Sequence, residues 1–370
     1  MRETTRLLQA LSKLAYQQRP DPFTLSSGAQ SNEYLDCRAA LSDPETLRLV
    51  ASLVLGKIHR HVAALGGLTM GADPIAIATS LMSLDDRDVN DPKLGWFSVR
   101  KEPKKHGTRQ LIEGSVVTGA KVAVVDDVAT TGSSTIKAIQ ACQEQGLEVV
   151  QGVLLVDRGG VAAIRETGVP VSVLFDFDTV ALVGRARTIA TKAHDGQSYG
   201  HEPYTCHLEH TVSTVGSWIP YTDRTATLLA AAWLHDVPED TTTTIEHLRA
   251  MFPEDVCDLV DACTDGDGKT RKEKKERPYT LIPKVRNSIV VKLADRLANV
   301  EAAISEIKDL SAPSSECPLS EVDRRRGILN MYRKEYPEFA DRLRHSVTDF
   351  EDDVVMMWGH LEWLLFGQPV

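Results

Sequence analysis

The 370-residue chain has no apolar run near 18 residues, so nothing in it predicts a membrane-spanning helix. It has no CxxC pair. Its six cysteines, at 37, 142, 206, 257, 263 and 317, are scattered, and a reduced, cytoplasmic protein is the simplest reading. It has no excess of positive charge: 42 Lys and Arg stand against 52 Asp and Glu, a net charge of −10, which argues against general nucleic-acid or membrane-surface binding. The opening MRETTRLLQALSKLAY is charged and amphipathic, unlike a secretory signal. No Gly/Ser-rich or Pro-rich linker separates the halves. What is present is ordinary soluble composition, 42% hydrophobic and 25% charged, in a chain too long for one compact core. Two domains are expected.

In the first half, KVAVVDDVATTGSS (121–134) carries the clearest chemistry. Val122 to Val125 read as a buried parallel strand, with Asp126 and Asp127 at its carboxyl end. Thr130, Thr131, Gly132, Ser133 and Ser134 then open a helical pattern that stops at Gly146. Strand, small-hydroxyl loop and helix is how α/β folds bind phosphate, because backbone N–H groups and hydroxyls surround an anion at a helix N-terminus. The two carboxylates suit a ribose diol or Mg²⁺. A generic βα turn with Ser133 as N-cap leaves the paired acids unexplained. The segment RKEPKKHG, taken alone, reads as a solvated basic loop.

These stretches resemble the type I phosphoribosyltransferases, and orotate phosphoribosyltransferases among them. FTLSSGAQSNEYLDCR (23–38), GLTMGADPIA (67–76), VRKEPKKHGTRQLIEG (99–114), the 121–134 segment and VDRGG (156–160) follow the family's order. The resemblance implies a parallel sheet flanked by helices over residues 1–187, binding PRPP with Mg²⁺ as cofactor. It implies PRPP contacts from Arg100, Lys101, Asp126, Asp127 and Thr130 to Ser134. Catalytic roles fall to Lys101, Lys104, His106 and Asp127, with cations stabilising the departing pyrophosphate. Ser26 and Arg158 would face the base, orotate or a related one. Ser26 stands where many members have Lys. The family's basic loop reaches a neighbouring subunit, which implies a homodimer.

After about residue 185 the pattern changes to helical spacing, as in TATLLAAAWLHD and SIVVKLADRLANVEAAISEI. AAWLHDVPEDT (231–241) sets an apolar run against four ionisable groups. His207, His235, Asp236 and Asp295 stand out as metal ligands, an N₂O₂ set suited to Mn²⁺ and less surely to Fe²⁺, Zn²⁺ or Co²⁺. Asp295 lies in an apolar helical pattern, where a carboxylate needs a partner. A cation serves; a salt bridge to Arg296 or Arg286 is the alternative. Glu239, four residues after His235, would share its helical face, and Pro238 should bend that helix. GDGKTRKEKKERPY (266–279) and residues 308–325 read as loops, the first either solvated or a basic flap over a polyphosphate.

AHDGQ (193–197), PYTCH (203–207), LHDVPEDT (234–241) and KLADRLANV (292–300) resemble the HD phosphohydrolases, and within them the RelA/SpoT-type alarmone hydrolases. The resemblance implies an all-α HD domain over 188–370 and Mn²⁺ held by the four ligands. Glu239 and Asp240 would serve the attacking water, and Asn299 the nucleoside. After AHDGQ these relatives usually carry an Arg/Lys pair. Here Ser198, Tyr199, Gly200 and His201 follow, about one residue shorter, and Tyr199 could stack on a base. The expected protein is a bifunctional enzyme acting on PRPP and on a pyrophosphorylated nucleotide such as (p)ppGpp. Other substrates for both halves, or a non-catalytic PRPP or alarmone sensor, are the alternatives.

Overall fold

The computed structural model describes residues 2–24, 28, 30–86, 93–102, 111–114, 116–310 and 319–367, without the side chains of 308–310 and 319–322. Ser26, Lys104 and His106 lie outside the described residues. The chain divides into two compact units, one of Arg6–Gly184 and one of Met1–Thr5 with Arg185–Val370.

The first unit is α/β. Its elements are α1 (Arg2–Leu14), β1 (Tyr16–Thr24), β2 (Gln30–Leu35), α2 (Cys37–Leu41), α3 (Pro44–Leu55), β3 (Ala64–Leu68), α4 (Ala72–Asp86), β4 (Gly95–Val99), β5 (Ile112–Gly114), β6 (Lys121–Ala129), α5 (Ser133–Glu144), β7 (Glu148–Asp157), α6 (Val161–Arg165), β8 (Val171–Asp176) and α7 (Phe177–Ala193). α1 begins in the second unit and α7 ends there, so the division falls inside a continuous helix rather than in a linker.

Six strands form one sheet in the order β5-β4-β3-β6-β7-β8. All pair in parallel except β5, which runs antiparallel to β4. The sheet is therefore mixed but mostly parallel. The core strands read as apolar runs because helices cover both faces: Val122, Val124, Leu154, Phe97 and Ile139 are fully buried. β6 extends past the expected Val125 to Ala129, because β7 pairs with it as far as Ala129↔Asp157. The strand order reverses between β3 and β6, and the carboxyl ends of β3, β6 and β7 lie side by side there. In open α/β sheets that crevice is where ligands bind. β1 and β2 form a separate antiparallel hairpin.

The second unit is helical apart from a two-residue ribbon. It comprises β9 (Ser198–Tyr199), β10 (Glu202–Pro203), α8 (Tyr204–Trp218), α9 (Thr225–Leu234), α10 (Val237–Asp240), α11 (Ile245–Arg249), α12 (Glu254–Cys263), α13 (Arg271–Leu281), α14 (Ser288–Leu310), α15 (Leu319–Leu343) and α16 (Glu351–Glu362). α14 is the hub, packing on α8, α9, α12, α15 and α16. Ile289, Val290, Val291, Leu293, Ala294, Leu297 and Ala298 are all fully buried, as expected of a helix apolar on every side.

Two loops expected from sequence are partly helical. Residues 271–281 form α13, begun by a capping box in which Thr270 accepts from Glu273 N–H and Glu273 reciprocates. The charge density of RKEKKER masked that signal. In 308–325, α14 continues to Leu310 and α15 begins at Leu319.

The tight layer spacing at β3 depends on glycine. A Cβ at Gly67 would overlap Val125 O and the Ala72 methyl. Gly67→Ala should destabilise the first unit by about 3 kcal/mol, read as an earlier unfolding transition in urea.

Candidate active sites

In the first unit a cavity of about 610 Å³ opens at the carboxyl ends of β3, β6 and β7. Its walls bring together Lys101, Asp126, Asp127, Arg158 and the whole run from Thr130 to Ser134. Gly132 is the N-cap of α5 with φ +74, so α5 starts immediately beyond it and points its first N–H groups at the cavity. That terminus suits an anion.

Asp126 is buried, 4% exposed, and accepts from Thr135 Oγ1 at 2.7 Å and from Asp127 N–H at 3.1 Å. Burial, and then repulsion from Asp127, push its carboxyl up to about 7, against the Thr135 bond. Burial raises Asp127 as well. A Cβ at Gly71 would overlap the Asp127 carboxylate, so glycine lets the β3–α4 loop close over it. Two adjacent carboxylates, one buried and one half-buried, are the donor chemistry for a hard cation or for a pair of hydroxyls.

Arg158 is fixed from three sides. It donates to Ser31 Oγ at 3.0 Å and Glu33 O at 3.2 Å, and its guanidinium lies 3.9 Å over the Phe177 ring. Lys101 is exposed at the rim. Arg100 is not among the cavity's lining residues; its side chain lies 3.6 Å from Glu113.

In the second unit the apolar helix α9 ends at Leu234, His235 caps it, and Asp236 is the N-cap of α10. Pro238 sits in the first turn of α10, where its missing N–H costs nothing. This break lets adjacent His235 and Asp236 face one point. His207, His235 and Asp295 offer ligand atoms all within 4.8 Å of one another. Asp236 Oδ2 lies 3.1 Å from His235 Nε2 and 3.3 Å from His207 Nε2. His235 Nδ1 donates to Ala232 O at 2.8 Å, which leaves Nε2 as the inward nitrogen. That Nε2 is buried and makes no well-aligned hydrogen bond among the described residues. An orphaned inward nitrogen between two carboxylates fits a divalent cation.

Burial opposes charge on both imidazoles, but the facing Asp236 and Asp295 carboxylates outweigh it and raise His207 and His235. The same contacts hold Asp236 well below the usual carboxylate range despite burial. A cation held here would compete with protons for the same imidazoles.

Asp295 is paired with neither Arg286 nor Arg296. Its partner is Lys292, one turn earlier, with Nζ 3.1 Å from Oδ2. Arg286 pairs with Asp349, and Arg296 lies 3.4 Å from Glu335 and over the Tyr332 and Phe339 rings. The helix break also separates Glu239 from His235, so the shared-face argument does not apply. Glu239 Oε1 accepts from Asp265 N–H at 2.8 Å, and Asp240 is tied to the cluster by Tyr204.

Tyr199 is not turned outward. Its ring stacks on His207 at 4.8 Å, and its hydroxyl donates to Asn299 Oδ1 at 2.6 Å. Asn299 Nδ2 in turn donates to Asp295 Oδ1. Both residues therefore support the ligands. On α13, three of the basic side chains are committed: Arg271 to Glu335, Lys275 to Asp265 and Arg277 to Asp261. Sequence reasoning missed Lys292, Asp265 and Tyr204. For Lys292 a signal existed, because Lys and Asp three apart in KLAD meet on one helix face.

An HD domain family model matches residues 186–314. The first unit is similar to orotate phosphoribosyltransferases: 42% identical over 179 residues to that of Aquifex aeolicus, spanning 47% of this chain and 96% of the relative. A second, from Corynebacterium glutamicum, is 42% identical over 167 residues, spanning 43% and 84%. Among solved structures, the Mycobacterium tuberculosis enzyme in complex with Fe(III) dicitrate has 33% identity and a TM-score of 0.41, covering 48% of this chain and 98% of that one. The first unit is thus of the phosphoribosyltransferase class. The chain belongs, through this half, to the orotate phosphoribosyltransferase family, and its other half carries an HD domain.

Two outcomes are expected. A divalent cation that fills the second unit's cluster, at about a hundred times its Kd, should stabilise that unit by about 2.7 kcal/mol, seen in thermal melts, and Asp295→Asn should abolish the shift. For Asp126, the folded value near 7 exceeds its ordinary 3.8. Its stabilising contribution is therefore full below pH 4 and lost as pH rises to 7. The melting temperature of the first unit should fall across that window, and Asp126→Asn should flatten the slope.

Proposed function

We propose that the chain is a bifunctional enzyme. Its first unit transfers phosphoribose from PRPP to a pyrimidine base, orotate giving OMP, with release of pyrophosphate. Its second unit hydrolyses a nucleotide pyrophosphate ester, with (p)ppGpp and its 3′-pyrophosphate as the leading candidate, using Mn²⁺. The observation that carries the first part is the convergence of paired carboxylates, helix N-terminus, Lys101 and Arg158 on one cavity. That of the second is the His207–His235–Asp236–Asp295 cluster beside Glu239 and Asp240.

In the first unit, the α5 N-terminus and the Thr130–Ser134 hydroxyls receive the 5′-phosphate. Asp126 and Asp127 would hold the ribose diol and a Mg²⁺ ion, which would offset the phosphate charge. Charge develops on the departing pyrophosphate, and Lys101 at the rim neutralises it, with Lys104 and His106 proposed to join it. Arg158, immobilised on Phe177, fits a base carboxylate. Ile77, Leu81 and Leu84 leave an apolar stripe exposed along α4, which supports a homodimer through this unit.

In the second unit, Mn²⁺ would acidify a bound water and polarise the phosphoryl group. Glu239 and Asp240 orient that water and take its proton. The commitment of Tyr199 and Asn299 to the ligands favours a second reading for this half, hydrolysis of a nucleotide without guanine selection. A corresponding alternative for the first half is a base other than orotate, Ser26 being the motive. Both are tested by chromatography of PRPP plus orotate and of a nucleotide panel including ppGpp with Mn²⁺. Asp127→Ala should lower OMP formation by at least about a hundredfold and spare hydrolysis. Asp236→Ala should do the converse. Absence of OMP overturns the orotate assignment; intact ppGpp overturns the alarmone assignment.

A further inference from the structure

Tyr204 opens α8, three residues before His207, on the same helical face. Its ring lies flat on His194, centroids 4.4 Å apart with an interplanar angle of 1°, and edge-on to His207. Its hydroxyl reaches two carboxylates, Asp236 Oδ2 at 2.8 Å and Asp240 Oδ2 at 2.7 Å. The Asp236 oxygen is the one that faces both imidazoles. A phenol has one hydrogen, so it can serve only one of the two carboxylates fully at a time.

A second arm grips the same aspartate. Gln197 Nε2 donates to Asp240 O at 2.8 Å, and Gln197 Oε1 lies 2.8 Å from His194 Nδ1. The amide nitrogen must face the carbonyl, so the amide oxygen faces His194 and Nδ1 carries the hydrogen. His194 Nε2 is buried and without a hydrogen-bond partner among the described residues. Asp240 is therefore held at its carbonyl and at its carboxylate by side chains of one short segment, 194–204.

We infer that Tyr204 is a positioning residue that links the metal-facing carboxylate of Asp236 to the aim of the Asp240 carboxylate, an inference that rests on the hydrolase reading of this unit. Were Asp236 to take a cation, its carboxylate would be a weaker acceptor and the Tyr204 hydrogen would turn to Asp240 Oδ2. Asp240 Oδ1 is left free to accept a proton from water. Geometry of this kind contributes to general-base catalysis without binding the substrate.

Tyr204→Phe keeps the ring and its stack on His194 and removes only the hydroxyl. With ppGpp as probe and Mn²⁺, kcat should fall about tenfold or more, while KM and the calorimetric Mn²⁺ Kd stay within about threefold. In an Asp240→Asn background the same substitution should cost less than about twofold, because both changes break one linkage. Multiplicative losses, or a Mn²⁺ Kd that rises in step with the loss of kcat, overturn the inference. Should the wild-type protein leave ppGpp and the nucleotide panel intact, the hydrolase reading falls separately. The linkage is then decided by Mn²⁺-soaked crystals of wild type and Tyr204→Phe. An Asp240 carboxylate displaced only in the variant supports it, and superimposable carboxylates overturn it.

Discussion

The second unit is organised around a carboxylate placed in α14, the helix on which α8, α9, α12, α15 and α16 pack. Asp295 is 8% exposed within α14, where an unpaired charge is costly. The surroundings answer that cost in layers. Lys292 neutralises one oxygen, Asn299 donates to the other, and two imidazoles face the same side. Tyr199 braces both Asn299 and His207. Five elements, β9, α8, α9, α10 and α14, are thus drawn to one point by charge compensation as well as by packing. The first unit meets a related problem in Asp126 and Asp127 differently. It leaves the carboxylates adjacent and underpaired, facing a cavity, so that compensation must come from whatever enters.

Much of this was legible in sequence. The strand β6 and helix α5 announce themselves by apolar run, paired acids and small-hydroxyl loop, and their chemistry follows from position. The switch to helical spacing marked the second half, and the PYTCH, HD and KLAD stretches supplied the residues that converge as a His/Asp cluster. What escaped is physically of one kind. The β9–β10 ribbon has two residues per strand, too short for any periodicity. α13 hid beneath a run of charges despite its capping box. Partner choice was also unreadable: Arg286 and Arg296 are closer to Asp295 in type and sequence than in space, because each is claimed by a carboxylate from another helix or loop.

Pro238 illustrates the limit from the other side. Its effect, an interruption beside His235, could be foreseen from the missing N–H. The consequence could not, since the restart of α10 moves Glu239 off the His235 face and hands it to Asp265, while Asp240 takes the place beside Tyr204.

The β9–β10 ribbon turns at Gly200 with φ +66, and its brevity fixes which way Tyr199 looks. Side chains alternate faces along a strand, so one inserted residue would swing the aromatic ring from the ligand cluster to the outside. Such an insertion would release His207 and Asn299 from the ring and hydroxyl that brace them.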